Sequence, residues 1–327
     1  MSTRNLPFLA ALAIFLLAYA ACVVQFPNML STRVLGNLLT DNAFLGIAAV
    51  GMTFVILSGG IDLSIGSVIA FTSVFVAVMV GSAGLNPLVA FAAVLVISTT
   101  FGAMMGMMIR FLGIPPFVAT LAGMFLARGA AYLISTQSVP ISHPVIDAIQ
   151  SFYFRVPGGG RLTAMAMLML LVFAVGAFVA ARTRFGANIY ALGGNPQSAE
   201  LMGVPVGRTT IGIYALSGFL SGLAGIAYTL YTSSGYSLAT VGVELDAIAA
   251  VVIGGTLLTG GAGLVAGTFI GILIQGLIQT YIVFDGSLSS WWTKIVIGIL
   301  LFTFIVLQRG IVWYSDRRMA EGRLKEA

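Results

Sequence analysis

The chain has 327 residues, of which 59% are hydrophobic and only 8% are charged, and its formal net charge is +5. Because a soluble domain carries about 25% charged residues, this composition excludes an ordinary soluble protein and indicates one embedded in a membrane. The positive charge is accounted for by the lysines and arginines that orient membrane proteins, so it does not favour a nucleic-acid partner.

Ten apolar segments each approach the roughly 20 residues with which a helix crosses a bilayer. In chain order they are residues 7–26, 38–57, 64–80, 88–108, 115–135, 162–181, 209–231, 242–258, 263–284 and 293–314. The sequence therefore predicts an all-α polytopic membrane protein with about ten transmembrane helices in a single domain, residues 1–327. Interruptions around residues 57–64 and 242–258 leave the number open by one or two.

The basic residues predict how the chain is oriented. The first segment lacks a convincing small-residue cleavage site, so we expect it to be retained as a helix. With a cytoplasmic N-terminus and ten crossings, the cytoplasmic side holds most of the positive charge, as the positive-inside rule requires. It carries Arg4, Arg110, Arg182, Arg184, Arg208, Arg309, Arg317, Arg318, Arg323 and Lys325, whereas the outer side carries Arg33, Arg155, Arg161 and Lys294. Both termini and the connection 182–208 are then cytoplasmic, and the connection 136–161 lies outside.

The stretch "VILSGGIDLSIGSVI" at residues 55–69 interrupts the apolar pattern with glycines, serines and one carboxylate, Asp62. An ionised carboxylate at the bilayer centre costs on the order of 3 kcal/mol, so it needs polar partners. We interpret the stretch as a broken membrane helix, in which Asp62 or Ser64 caps the amides where the next helix begins. The alternative is a direct contact between Asp62 and a transported solute, with Ser64 and Ser67 beside it.

A second interruption carries Glu244 and Asp246 next to the glycine-rich string "VIGGTLLTGG". Corresponding breaks in the two halves of a chain are typical of transporters, so crossings 2–5 and 7–10 would form two repeats of opposite orientation. The residues expected to line a translocation path or to cap the breaks are Asp62, Ser64, Ser67, Glu244 and Asp246. A pair of aspartates sharing one proton is a further hypothesis, and it requires contact between Asp62 and Asp246.

Arg128 lies well inside the fifth segment, so we expect it to reach the outer interface or to pair with a carboxylate such as Asp246. Several glycines recur every four residues, a spacing that lets membrane helices approach backbone to backbone. They are Gly102 with Gly106, Gly218 with Gly222, and Gly263 with Gly267 and Gly271.

The outer connection contains "SHPVIDAIQSFYF" followed by "PGGG". It predicts a short interfacial helix that directs an apolar face toward lipid or protein, and then a flexible segment. The apolar face consists of Ile146, Ile149, Phe152 and Tyr153. We expect His143, the only histidine, to be exposed or to cap a helix, because metal ligation needs partners that the sequence does not offer.

The inner connection contains "NPQSAELMG". Asn195 can cap a helix, Pro196 suits its first position, and Gly203 suits the position just past its end. The sequence therefore predicts a helix of about two turns, which is too short to cross a membrane.

The residues that enzymes need are largely missing. The phosphate-binding pattern G-x-x-x-x-G-K-[ST] does not occur, so we expect no nucleotide hydrolysis by this chain itself. An intramembrane serine protease needs a histidine on a neighbouring helix, and His143 is predicted to lie in a loop. No catalytic residue, metal site or cofactor is therefore assigned to the chain. Composition alone leaves an ion-coupled secondary transporter or a channel open.

Several separated strings carry a resemblance to a known family. The strings "GMTFVILSGGIDLSIGS", "ALGGNPQSAELMGV", "AGIAYTLYTSSGY" and "ELDAIAAVVIGGTLLTGG" resemble the permease subunit of bacterial ABC importers for monosaccharides, the ribose, arabinose and galactose group. With "LTDNAFLGIAAVGMTF" and "GLIQTYIVFDGSLSSWWTKI", the resemblance is strongest to one of the two permease chains of the enteric galactofuranose importer. It covers nearly the whole chain.

The resemblance implies an inner-membrane dimer of permease chains, either identical or different. It further implies ATP-binding subunits below this dimer, which would hold ATP and Mg, and a periplasmic sugar-binding protein above it. It also implies that 136–161 is a periplasmic loop and 182–208 a cytoplasmic coupling loop. The positions that match the ATPase-coupling helix of the family are Asn195, Pro196, Gln197, Ser198, Ala199, Glu200, Leu201, Met202 and Gly203.

Overall fold

The computed structural model describes the backbone of residues 6–326 and the side chains of residues 7–307 and 310. Part of the prediction of orientation rests on side chains outside this set. They are those of Arg4, Arg309, Arg317, Arg318, Arg323 and Lys325.

The described chain is built mainly of helices. They are α1 (Leu6–Gln25), α2 (Thr32–Asp41), α3 (Ala43–Leu57), α4 (Ile65–Gly81), α5 (Pro87–Phe111), α6 (Pro116–Ile134), α7 (Pro144–Ser151), α8 (Ala164–Arg182), α9 (Arg184–Gly194), α10 (Pro196–Leu201), α11 (Val206–Thr232), α12 (Val243–Ile253), α13 (Val265–Asp285) and α14 (Trp291–Glu326). One 3-10 helix, Pro27–Leu30, joins α1 to α2.

Each of the ten predicted segments contains a helix, but the helices differ in length. Among the described residues, six helices are long and apolar enough to span a membrane, or seven if α2 and α3, which meet at a bend of 55°, form one span. Helix α4 has 17 residues and α12 has 11. At 1.5 Å per residue, a helix as short as α12 covers about 16 Å, roughly half of a hydrocarbon core. The multi-pass helical architecture is therefore confirmed, and the number ten is not.

Helix α3 forms the centre of the bundle. Every residue of α3 except Phe44 is buried, and the helix packs against α8, α11, α12 and α13. Its sequence, "AFLGIAAVGMTFVIL", is apolar on all sides, a pattern typical of a helix enclosed by others. The breaks and connections on either side of α3 are therefore held against a fixed element.

Glycines set the closest helix contacts, as their spacing predicts. On α5, a Cβ added at Gly102 would lie 2.1 Å from the carbonyl oxygen of Tyr214, and on α11 one added at Gly218 would lie 2.2 Å from that of Ser98. Helix α13 approaches α12 in the same way, since a Cβ added at Gly271 would lie 1.9 Å from the carbonyl oxygen of Ala250. Gly263 differs from this group because it precedes α13.

The prediction of an all-α fold needs a correction in the connections. Strand β1 (Val139–Pro140) pairs with β4 (Ser234–Gly235), and β2 (Tyr153–Val156) pairs with β3 (Gly160–Thr163), both antiparallel. The predicted flexible "PGGG" is the turn of the second hairpin. The turn has three residues, 157–159, and Gly158 and Gly159 have φ of +90° and +86°, conformations that glycine adopts readily.

Helix α7 is shorter than the predicted interfacial helix and ends at Ser151, so Tyr153 lies in a strand. Ile146 is buried and Ile149 packs against the core, so these two residues of the predicted face contact protein, whereas Phe152 is 63% exposed. His143 caps α7, because its Nδ1 accepts a hydrogen bond of 3.2 Å from the amide of Val145. The capping alternative for His143 is therefore confirmed.

The contact of Gly218 with α5 can be tested by substitution. We expect Gly218→Val to lower the yield of folded protein and its melting temperature, because forcing a side chain into a closed contact costs about 1–3 kcal/mol. The matched control is Gly129→Val on α6, where an added Cβ has no neighbour within 4 Å. Thermal unfolding of both variants in detergent measures the difference, and an equal loss of stability in both would contradict the assignment.

Candidate functional site

The break between α3 and α4 is organised around Asp62, which is 1% exposed. One carboxylate oxygen, Oδ1, accepts hydrogen bonds from the amide and the hydroxyl of Ser64, at 2.9 and 2.7 Å. The other oxygen, Oδ2, accepts one of 2.6 Å from the hydroxyl of Ser217 on α11. Asp62 thus stabilises its own break and attaches it to a neighbouring helix.

The prediction that Asp62 or Ser64 caps α4 is not met in that form, because no side chain accepts from the amides of the first turn of α4 and Asp62 accepts from the amide of Ser64, just before the helix. Ser64 occupies the N-cap position without a capping hydrogen bond, and its hydroxyl donates to Asp62. Ser67, one turn further on, is buried, and its hydroxyl has no hydrogen-bond partner among the described residues. The same holds for the hydroxyl of Tyr214, which lies over Gly60, 2.4 Å from where a Cβ would stand. Tyr214 lies far from the break in sequence, and no local pattern indicated its place there.

A second polar cluster forms around Arg128 of α6. Its Nη1 donates to the carbonyl oxygens of Ser237 and Ala239, at 2.6 and 2.7 Å, in the connection between α11 and α12. Arg128 also interacts electrostatically with Glu244. The prediction of Asp246 as its partner is wrong, because sequence distance does not reveal which loop folds over the arginine.

Glu244 and Thr240 both contact Gly66 in the first turn of α4. The hydroxyl of Thr240 donates to the carbonyl oxygen of Gly66 at 2.7 Å, and a Cβ at Gly66 would lie 2.2 Å from Oε2 of Glu244. Oε1 of Glu244 accepts a hydrogen bond of 3.2 Å from the amide of Gly242. We call Arg128, Ser237, Thr240 and Glu244 the arginine cluster, which connects α6, the α11–α12 connection and the first turn of α4.

Asp246, in the first turn of α12, belongs to a different contact. Nζ of Lys294 on α14 donates to its Oδ1 at 2.7 Å, and the side-chain amide of Gln275 on α13 donates to its backbone carbonyl at 2.9 Å. Asp62 and Asp246 therefore bind different partners, and no hydrogen bond joins them within the described residues. The contact that an aspartate pair sharing a proton requires is not formed.

The predicted short helix of the inner connection is present as α10, Pro196–Leu201. Oδ1 of Asn195 accepts a hydrogen bond of 2.9 Å from the amide of Ser198, and Pro196 is the first helical residue. Gly203 follows the helix with φ of +82°. All three end signals were legible in the sequence, whereas the preceding α9, whose cap is Thr183, was not predicted.

Helix α10 is attached on one side and free on the other. Ala199 is fully buried, and Glu200 accepts a hydrogen bond of 3.3 Å from Arg110 at the end of α5. Leu201 and Met202 are 90% and 73% exposed. Two adjacent large apolar side chains on a short capped helix form a small surface suited to contact another protein.

Comparisons with known proteins agree with this architecture. Residues 34–305 match the profile of a protein family described as branched-chain amino acid transport system / permease component. The inner membrane ABC transporter permease protein YjfF of Escherichia coli is 61% identical over 98% of this chain and 97% of its own length. The fructose import permease protein FruG of Bifidobacterium longum is 38% identical over 95% of this chain and 93% of its own length. The ribose import permease protein RbsC of Escherichia coli is 37% identical over 86% of this chain and 87% of its own length. No solved structure matches this chain.

The role of Asp62 can be tested with two substitutions. We expect Asp62→Asn to fold, because an amide oxygen still accepts from Ser64 and the amide nitrogen can donate to the hydroxyl of Ser217. Asp62→Leu should lower the amount of folded protein strongly, since each buried donor left unpaired costs about 1–3 kcal/mol. Ser217→Ala removes one of the three hydrogen bonds and should fall between them. Size-exclusion yield and melting temperature measure the series, and wild-type values for Asp62→Leu would refute this role.

Proposed function

Because the chain belongs to the permease family of ABC transport systems, matched over residues 34–305, we propose that it forms the path by which a monosaccharide enters the cell through the bacterial inner membrane. The observation that carries the proposal is similarity over most of the chain to ABC transporter and import permeases, two of which are named for fructose and ribose. The family description names branched-chain amino acids, but these curated sugar permeases match at 37–38% identity across most of their length.

Import against a gradient needs an energy source outside this chain. An ABC importer obtains it from an ATP-binding subunit and receives its solute from a substrate-binding protein, so both are partners of this permease. ATP and Mg would bind to the ATP-binding subunit, since the sequence lacks the phosphate-binding pattern.

We assign the contact with the ATP-binding subunit to α10. Leu201 and Met202 offer an exposed apolar centre, and Glu200 offers a polar edge already joined to Arg110. Interfaces concentrate their binding energy in such small apolar centres surrounded by polar groups. This assignment makes 182–208 a cytoplasmic coupling loop.

The same assignment orients the molecule. With α10 in the cytoplasm, the connection 136–161, which includes α7 and the β2–β3 hairpin, is periplasmic, and both termini are cytoplasmic. Ten crossings follow if α2 and α3 count as one span and if α4 and α12 are completed by the breaks beside them. Crossings 2–5 and 7–10 would then be the two inverted repeats.

We place the sugar path beside the arginine cluster and the Asp62 break. Both contain charged or hydroxyl side chains within a largely apolar bundle, including the buried Ser67 and Ser237, whose hydroxyls have no hydrogen-bond partner among the described residues. Sugars present hydroxyl groups that exchange hydrogen bonds with such side chains. Asp246 lies near this path but is engaged with Lys294.

We propose galactofuranose as the sugar and a similar but non-identical permease chain as the second half of the path. In a strain lacking its own permeases, this chain, a sister permease, the ATP-binding subunit and the binding protein should together take up labelled galactofuranose faster than ribose or fructose. Uptake without the sister chain would favour a homodimer. Uptake that needs a proton or sodium gradient and no ATP-binding subunit would overturn the function itself and favour an ion-coupled transporter.

The coupling role of α10 has its own test. Leu201→Asp combined with Met202→Asp should abolish uptake and release the ATP-binding subunit during purification, because two charges would replace the apolar centre of the contact. The permease itself should remain folded, since both side chains are exposed.

The matched control adds the same two charges at exposed positions of the 135–143 connection, Thr136→Asp with Ser138→Asp. It should retain the ATP-binding subunit. Retention of that subunit and of full uptake by the α10 variant would show that the contact lies elsewhere.

A further inference from the structure

Three pairs of glycines from distant parts of the chain meet at the end of the bundle that carries α10. One pair, Gly59 and Gly60, follows α3, and a second, Gly193 and Gly194, ends α9 just before α10. The third, Gly260 and Gly261, lies in the break between α12 and α13. We call the place where they meet the glycine junction.

The segments touch backbone to backbone at this junction. A Cβ at Gly193 would lie 1.8 Å from the carbonyl oxygen of Leu57 and 2.5 Å from the amide nitrogen of Gly261. A Cβ at Gly260 would lie 2.7 Å from the amide nitrogen of Gly59. Any side chain at these points would separate the three segments.

Hydrogen bonds fix the same contact. The amide of Gly261 donates to the carbonyl oxygen of Leu57 at 2.9 Å, so the two breaks are joined directly. The hydroxyl of Tyr190 on α9 donates to the carbonyl oxygen of Gly263 at 2.8 Å, which joins α9 to the second break. Close packing without flexible side chains transmits displacement with little loss.

The junction lies between α10 and the polar groups of the first break. Gly194 and Asn195 are the only residues that separate Gly193 from α10, and Asp62 follows Gly60 by two residues. A displacement of α10 therefore reaches both breaks through α9, without passing through a membrane-spanning helix.

We propose that the glycine junction couples α10 to the two helix breaks, so that movement imposed on α10 shifts the segments 57–64 and 254–264 together and alters the sugar path. The inference rests on the proposed function, because it takes α10 as the helix that the ATP-binding subunit moves. Gly193 is then a positioning residue: it contacts no sugar and acts through the breaks.

Gly193 and Gly194 provide a matched pair for the test. Both end α9 and neither has positive φ, so alanine is compatible with the backbone at both positions. They differ in surroundings, because a Cβ at Gly194 has no neighbour within 4 Å. In the reconstituted importer with its ATP-binding subunit and binding protein, Gly193→Ala should lower the sugar transported per ATP hydrolysed at least tenfold, and Gly194→Ala should leave that ratio unchanged.

The ratio distinguishes coupling from folding, since loss of folded protein lowers uptake and ATP hydrolysis together. An unchanged ratio for Gly193→Ala would overturn the proposal. Loss of the ATP-binding subunit from the unaltered importer, or ATP-independent uptake by it, would instead refute the proposed function.

If Gly193→Ala does not assemble, amide hydrogen exchange of the unaltered importer tests the proposed coupling instead. Addition of a non-hydrolysed ATP analogue should change exchange in residues 190–203, 57–64 and 254–264 together. A change confined to residues 190–203 would overturn the coupling through the junction.

Discussion

Within an apolar bundle, every backbone amide and carbonyl freed by a helix break must find a partner in the protein, because lipid offers none. Much of this structure can be understood as the answer to that constraint. At the break after α3, Asp62 accepts from the amide of Ser64, and the carbonyl of Leu57 accepts from Gly261. In the connection before α12, Arg128 donates to two carbonyl groups. The charged side chains of the bundle thus stand in for water at its irregular segments.

Asp62 and Asp246 differ in burial, and their hydrogen-bond partners differ accordingly. Asp62 is almost fully buried and its hydrogen bonds come from an amide and two hydroxyl groups, all held in place by packed helices. Asp246 is partly exposed and pairs with Lys294, whose side chain is 53% exposed. A long flexible cation loses little hydration at such a site, whereas bringing it to Asp62 would require burying a second charge. Neutral donors avoid that second desolvation.

Features of this fold that have a local signal can be predicted from the sequence. The cap, proline and terminal glycine of α10 lie within nine residues, and the broken helix around Asp62 is visible as a polar interruption of an apolar run. The four-residue spacing of Gly102 with Gly106 and of Gly218 with Gly222 likewise predicted close helix packing, although it did not identify the partner helix. The β2–β3 hairpin also had a local signal, two glycines between alternating strands, which the composition of the surrounding loop obscured.

The remaining features depend on contacts between distant residues. Arg128 binds a connection 109 and 111 positions away, and Ser217 meets Asp62 across 155 positions. The glycine junction needs three segments to converge, and each of its glycine pairs alone resembles an ordinary turn or helix end. Such convergence is a property of the tertiary fold, so a single sequence cannot reveal it.

The same arrangement bears on which segments the proposed coupling would move. Helix α3 is enclosed on all sides, and displacing it would open contacts with α8, α11, α12 and α13 at once. The breaks at its end and beside α12 are short irregular segments that contain glycines at positive φ. Helix α10 joins these breaks through α9, while its exposed side chains face away from the bundle. In the proposed coupling, a push on α10 would therefore act on these irregular segments, with α3 as the fixed element against which they move.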